Sequence, residues 1–204
     1  MTAVKGFYDF LAAEEAADIN LPKVKLLIKQ RARRPGRRIP QFPADAISTL
    51  LEYYEKKHTN NSTEPEIMLR ELRDKSFLIT LADTGLRVHE ACQLRRGDID
   101  WNEGKALIIG KGDKQAIVRL SSRSLRALKA YLQARSDLDG KSGRPLTSLP
   151  LFARHDKGAG SKVKPITPTT GRNMVQERVS EALGDEVVGT ITPHSFRHYF
   201  VTRV

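Results

Sequence analysis

Thr192-Pro-His-Ser-Phe-Arg-His198 and, far upstream, Thr84-Gly-Leu-Arg-Val-His-Glu90 are the two stretches that decide how this chain is read. Thr192 suits a helix N-cap and Pro193 the first helical position, and the three-residue spacing then sets His194 and Arg197 on one face. A helix start offers unpaired backbone N–H groups and a positive dipole end. A guanidinium one turn further in adds a planar fork that matches phosphate oxygens. In the upstream stretch Gly85 is a natural helix stop, and Glu90 lies one turn from Arg87 in the short helix that follows. An arginine emerging from such a junction is expected to be held by packing and not free in solvent. Phosphate chemistry is the first inference.

Composition narrows the partner. The chain has 204 residues and is 39% hydrophobic, enough for one good-sized domain with a small appendage. Lys and Arg number 35 against 24 acidic residues, a formal charge of +11 that favours a polyanion. Nucleic acid fits better than a membrane, because no segment approaches the apolar length that spans a bilayer. Met1 to Leu11 lacks the charged-then-apolar pattern of a secretory signal. Cys92 stands alone, so neither an intrachain disulfide nor a thiolate metal cluster is available, and a cytoplasmic location is predicted.

Outward from the two stretches, periodicity predicts mostly helices. Val4, Phe7, Tyr8, Phe10 and Leu11 mark a short aromatic helix that cannot bury its face alone; it reads as the last helix of a larger unit or, equally, as one that packs onto the main domain. Lys23, Lys25, Lys29, Arg31, Arg33, Arg34, Arg37 and Arg38 follow with no acidic residue among them, broken by Pro35-Gly36. Residues 23–42 are therefore predicted to be a basic linker lying on a phosphate backbone, a solvated tail being the plain alternative. From Pro43 the pattern is globular. Ile47, Leu50, Leu51 and Tyr54 mark one helix; a second runs from Pro65 to Gly85 with Phe77 to Ala82 in the core; a short one carries Val88, Ala91, Cys92 and Leu94. Lys105 to Ile109 and Gln115 to Leu120 form a hairpin around Gly110-Lys-Gly-Asp-Lys114. A helix over Ser122 to Arg135, a mostly irregular stretch over 136–166 with the apolar piece Leu149 to Ala153, a helix from Thr167-Pro168 to Gly184 and the final helix complete the chain. The expected class is mainly α with a small antiparallel β-sheet, an α+β domain over 43–204.

Three motifs, Ala82-Asp-Thr-Gly-Leu-Arg-Val-His-Glu-Ala-Cys-Gln-Leu94, Ile109-Gly-Lys-Gly-Asp-Lys114 and Thr192-Pro-His-Ser-Phe-Arg-His-Tyr-Phe-Val-Thr202, together resemble the tyrosine recombinase (phage integrase) family, in its order and approximate spacing. The resemblance implies a catalytic domain over 43–204, the remnant of a DNA-clamping domain over 1–22, and strand cleavage and rejoining through a phosphotyrosine. It makes Arg87 and Arg197 the catalytic arginines, Lys111 the hairpin lysine with Lys114 as its neighbour, His194 the intervening basic residue and Glu90 the acidic residue that orients the others. It implies double-stranded DNA as partner, a tetramer on DNA for the family and a monomer for this chain, with no cofactor and no metal. The family's nucleophile follows the His-x-x-Arg motif by some tens of residues, and this sequence stops seven residues after Arg197. The nucleophile is thus expected to be missing from these residues, and the alternative is a DNA-binding remnant or regulator that does not cleave.

Plainer readings stand beside these. Arg87 with Glu90 alone is an ordinary intrahelical ion pair, and a Gly-Lys-Gly turn alone is an ordinary hairpin tip. His194 and His198 have the spacing of a helical zinc pair but no evident third ligand. Tyr199 reads as an aromatic core residue; Tyr8, Tyr53, Tyr54 and Tyr131 fit helix core faces. His58, His89 and His155 read as surface or satisfied histidines and Trp101 as core.

Overall fold

Asn20 starts a helix where the sequence predicted the approach to a linker. Its side chain accepts the Lys23 backbone N–H at 3.0 Å, and Pro22 sits in the first turn, where its missing N–H costs nothing. The computed structural model describes residues 2–32, 44–57, 64–110, 115–156, 158–159 and 162–203. It divides into two units, Met1–Gln41 and Phe42–Val204. In the first, α1 (Thr2–Ala13) and α2 (Leu21–Ala32) pair, with Lys25 bonded to Asp9 at 2.9 Å. Residues 23–32 are therefore helical. Leu21, Val24 and Ile28 form a half-buried stripe at i, i+3 and i+7, a period that the dense positive charge hid. Phe7 and Phe10 remain exposed within this unit.

In the second unit the helices surround α4 (Pro65–Thr84), which packs against α3 (Ala44–Lys56), α5 (Val88–Gln93), α6 (Ser122–Ala134), α8 (Pro168–Leu183) and α9 (Pro193–Arg203). The predicted stripe of Ile47, Leu50, Leu51 and Tyr54 is buried, and so are Phe77, Leu78 and Leu81 on α4, Leu128 on α6, Val175 on α8 and Phe196 on α9. Each such side chain contributes roughly 1.5–3 kcal/mol through its removal from water. Tyr53 departs from the prediction: one position off the stripe, it is 37% exposed, its ring edging onto Tyr54 at 5.0 Å and its hydroxyl donating to Glu181 at 3.4 Å. Polar clamps tie the helices together. Asp83, at the end of α4, accepts from Arg123, Ser121 and Ser124 at the start of α6. Asp74 of α4 holds Arg178 of α8 at 2.9 Å. No helix among the described residues is long and apolar enough to cross a membrane.

The sheet is antiparallel in the order β1 (Ile99–Asp100), β2 (Lys105–Ile109), β3 (Gln115–Arg119), with Ile109 opposite Gln115 at the hairpin end. The hairpin stands where the sequence placed it; the two-residue β1 was not anticipated.

Residues 136–166 are more ordered than their composition suggested. A short helix α7 (Ser136–Gly140) and a 3-10 turn at Leu146–Ser148 are followed by single bridges of Pro150 to Arg95 and Ala153 to Pro165. This segment closes over Arg135, which is fully buried and donates to the carbonyls of Leu151 (3.2 Å) and Pro150 (2.9 Å) and to the Tyr131 hydroxyl (2.9 Å). Asp139 faces it, with Arg135 Nε to Asp139 Oδ1 at 2.8 Å in an orientation that makes the contact an ion pair and not an aligned hydrogen bond.

His155 is buried beside this network, its Nε2 at 2.7 Å from the Tyr131 hydroxyl, so it is a satisfied histidine. Burial, and then the nearby charges of Arg73, Arg135 and Arg70, push its pKa down to about 3. The unfolded chain takes up this proton near pH 6.5 while the folded chain does not, so stability falls as pH drops below that value. The slope from this one group approaches about 1.4 kcal/mol per pH unit until the folded ring also titrates. Urea midpoints measured from pH 7.5 to 5 are expected to fall, and His155→Gln to flatten the decline.

Candidate phosphate-binding site

The site is built around the end of α4. Thr84 bonds back to the Thr80 carbonyl at 2.6 Å and accepts the Leu86 N–H at 3.3 Å, and Gly85 takes φ 62°, the left-handed turn that glycine adopts without strain. Leu86 turns into the core and Arg87 emerges in extended backbone as the residue before α5. Glu90 is buried at the third position of α5. One of its oxygens accepts the Arg87 backbone N–H at 2.8 Å and the other the Arg87 guanidinium at 2.9 Å. Burial pushes the Glu90 carboxyl up, but the hydrogen bonds and charge of Arg87 outweigh it and hold the group below the usual carboxylate range. The Arg87 side chain itself is 56% exposed, so the expectation that packing holds it is corrected: a buried carboxylate steers it while its remaining donors face solvent.

Helix α9 crosses this turn. Arg197 Nη1 donates to the Gly85 carbonyl at 2.7 Å, and Phe200 lies so close that a Cβ on Gly85 would come within 2.5 Å of its ring. One glycine therefore sets both arginines, Arg87 through the chain and Arg197 through its carbonyl. Gly85→Ala combines left-handed strain, about 1–2 kcal/mol, with overpacking of about 1–3 kcal/mol. A loss of roughly 2–5 kcal/mol in urea unfolding is expected from those two terms; a loss below 1 kcal/mol would show that α9 yields freely at this point.

At its start, α9 is closed by Ser195, whose hydroxyl oxygen accepts the Thr192 N–H at 3.1 Å. His194 and His198 stack edge to face, ring centroids 4.5 Å apart, with their Nε2 atoms 3.0 Å apart. One ring donates and the other accepts, so His198 fixes the orientation of His194. Among the described residues no group of three His, Cys, Asp or Glu side chains converges on a possible metal position. From the other side, α8 comes close to α5 because Gly171 has no side chain: a Cβ there would meet Val88 Cγ2 at 2.9 Å and Phe77 Cζ at 3.1 Å.

These elements enclose an open depression of about 300 Å³ into which Arg87, Arg197 and His194 all face, with Arg172, His89 and the start of α9 completing its wall. Three sequence-predicted residues are thus brought together, with Glu90 behind them. Lys111 and Lys114 lie outside the described residues, as do Arg33, Arg34, Arg37 and Arg38. Lys25, Lys29 and Arg31 are exposed on α2. Arg172 was missed; only its position one residue after a helical glycine could have pointed to it. Tyr199 is 2% exposed with its hydroxyl 3.2 Å from Ser48 Oγ, as a core residue would be. Neither it nor Tyr53, Tyr54 or Tyr131 lines the depression.

Chemically, the arrangement brings three guanidiniums, those of Arg87, Arg172 and Arg197, to one space with no carboxylate among its lining residues, a donor set of the kind that suits an oxyanion. Comparison with known proteins identifies the family. The chain is 29% identical over 205 residues to tyrosine recombinase XerD of Mycobacterium tuberculosis, all of it aligning with 59% of that protein. To XerD of Neisseria meningitidis serogroup B it is 34% identical over 133 residues, 65% of this chain and 41% of that protein. Its fold is similar to the crystal structure of XerA recombinase, with a TM-score of 0.58, 26% identity, and coverage of 98% of this chain and 67% of that one. It is also similar to XerH bound to a palindromic difH substrate, with a TM-score of 0.55, 25% identity, and coverage of 77% and 39%. The chain spans less than two thirds of the length of either XerD relative. The phage integrase family model matches residues 41–204, a stretch that holds the turn, the hairpin and α9, and the chain belongs to that family of tyrosine recombinases.

Proposed function

We propose that the chain supplies the phosphate-gripping part of a site-specific DNA recombinase, which cuts and rejoins strands through a 3′-phosphotyrosine. The observation that carries this reading is the convergence of Arg87, His194 and Arg197 on one depression. Attack on a DNA phosphodiester builds negative charge on the non-bridging oxygens, and two held guanidiniums stabilise it more in the transition state than in the ground state. The tyrosine oxygen–phosphorus bond forms as the bond to the 5′ oxygen breaks. His194, oriented by His198, takes the tyrosine proton, and Lys111 on the hairpin gives one to the leaving oxygen. Glu90 aims Arg87. With the charge met by arginines, the step needs no metal ion.

In this reading the attacking tyrosine is none of Tyr53, Tyr54, Tyr131 and Tyr199, since none of them lines the depression. Lys25, Lys29 and Arg31, with Arg33, Arg34, Arg37 and Arg38, lie along the DNA backbone, and the first unit belongs to the DNA clamp. The chain by itself is monomeric, and the tetramer of the family forms on DNA. The burial of Tyr199 equally suits a second reading, a DNA-binding regulator that does not cleave; intact mass of the native protein from its source cells separates the two. The shared claim is tested by titrating a labelled duplex with the chain at several salt concentrations. Tight binding with a steep loss on added salt is expected, and binding too weak to detect at low salt would refute it.

A further inference from the structure

We infer that Arg172 is a DNA-contacting residue of this site, a third guanidinium that binds the phosphate neighbouring the one held by Arg87 and Arg197; the inference rests on the DNA-binding reading above. Its position follows from the fold. Thr167 caps α8 by accepting the Thr170 N–H at 3.1 Å, and Pro168 begins the helix, which fixes where its first turns lie. Gly171 then lets α8 lie against α5, since a side chain there would collide with Val88, Phe77 and Cys92. The next residue, Arg172, leaves the helix beside the start of α5 and faces the depression that Arg87 and Arg197 share. It is exposed.

Its pairing sets it apart from the other arginines that lie between elements of this unit. Arg73 and Arg178 are matched by Asp74, Arg96 and Arg135 by Asp139, and Arg123 by Asp83. Arg172 has no hydrogen bond or ion pair among the described residues, and no carboxylate lines the depression. Structural arginines here carry their counter-ion with them, whereas this one waits for an anion from outside. Arg87 stands before α5, Arg197 on α9 and Arg172 on α8, so three separate elements each bring one guanidinium to the same depression. A nucleic-acid strand presents a charge about every 3.4 Å along its axis, a spacing that guanidiniums from separate elements can follow.

The test uses the 204-residue chain, a fluorescent duplex and the salt dependence of binding. Arg172→Ala is expected to weaken binding about tenfold at low salt, the cost of one charge-assisted contact. The slope of log affinity against log salt should become shallower by about 0.9, because one fewer counterion is released. Arg172→Lys should restore most of that slope, and circular dichroism should show an unchanged fold because the side chain is exposed. If Arg172→Ala keeps both affinity and slope while Arg87→Ala still weakens binding, Arg172 is not a contact and the clamp stands without it. If the unsubstituted chain itself does not bind the duplex, the DNA-binding reading fails and this inference falls with it.

Discussion

Arg197→Ala, introduced into a version of the protein that carries the family's tyrosine, is expected to slow covalent complex formation on DNA on the order of 10²–10³-fold, the scale seen when one held donor to a developing oxyanion is lost. The loss should appear in the rate of the chemical step under single-turnover conditions, because the guanidinium is worth most where charge has accumulated. The structural cost is smaller. Arg197 spends one of its five donors on the Gly85 carbonyl at 2.7 Å, and losing that hydrogen bond removes about 1 kcal/mol of stability. The protein should therefore remain folded while its chemistry collapses. Arg197→Lys keeps the charge but not the fork, and falls between the two. Arg87→Ala should give a loss of similar scale, with Glu90 left buried and without the guanidinium that now faces it. Cleavage by Arg197→Ala at the unsubstituted rate would remove this side chain from the mechanism.

The largest effect on stability is expected at Asp139, far from that chemistry. Its carboxylate is 1% exposed and is shared by Arg135, itself fully buried, and by Arg96, whose Nη1 is 2.5 Å from Oδ2. Asp139→Ala leaves Arg135 charged in a dry interior and deprives Arg96 of its partner. Breaking a buried pair by removing one member costs about 3–5 kcal/mol, because the stranded charge keeps its desolvation penalty. Against a total stability of roughly 5–15 kcal/mol for a domain, that loss brings the fold close to its limit. A melting temperature lower by roughly 10 °C is expected at this chain length. Asp139→Ala combined with Arg135→Met removes both charges and should recover part of the loss. A single substitution costing under 1 kcal/mol would mean that water reaches Arg135 and that the segment over it is not closed.

The parts of this structure that could be read from sequence were those in which period or local chemistry suffices. Ile47, Leu50, Leu51 and Tyr54 announce α3, Gly85 announces the end of α4, and the glycines at 110 and 112 announce a hairpin. Contacts between distant positions left no such trace. Nothing in the spacing shows that Arg197 reaches the Gly85 carbonyl; the resemblance alone paired Arg197 with Arg87. Arg135 and Asp139 stand four apart, a spacing as common in exposed helix pairs, yet both are buried because residues 146–153 fold over them. In α2 the reverse held, since eight basic residues between 23 and 38 concealed a three-residue apolar stripe. Arg172 escaped notice because its significance depends on Gly171, and that glycine matters only once α5 lies against it.

The central claim is that Arg87, His194 and Arg197 together hold a DNA phosphate, and arginine-side-chain NMR tests it most directly. A duplex is titrated into the chain while the Nε–Hε signals of assigned arginines and the His194 ring signals are followed. The account predicts that Arg87, Arg197 and His194 shift together at the lowest DNA concentrations, with Arg135, buried under the 146–153 segment, unmoved. Saturation of the duplex with those three side chains unchanged, and the shifts confined to other arginines, would contradict it.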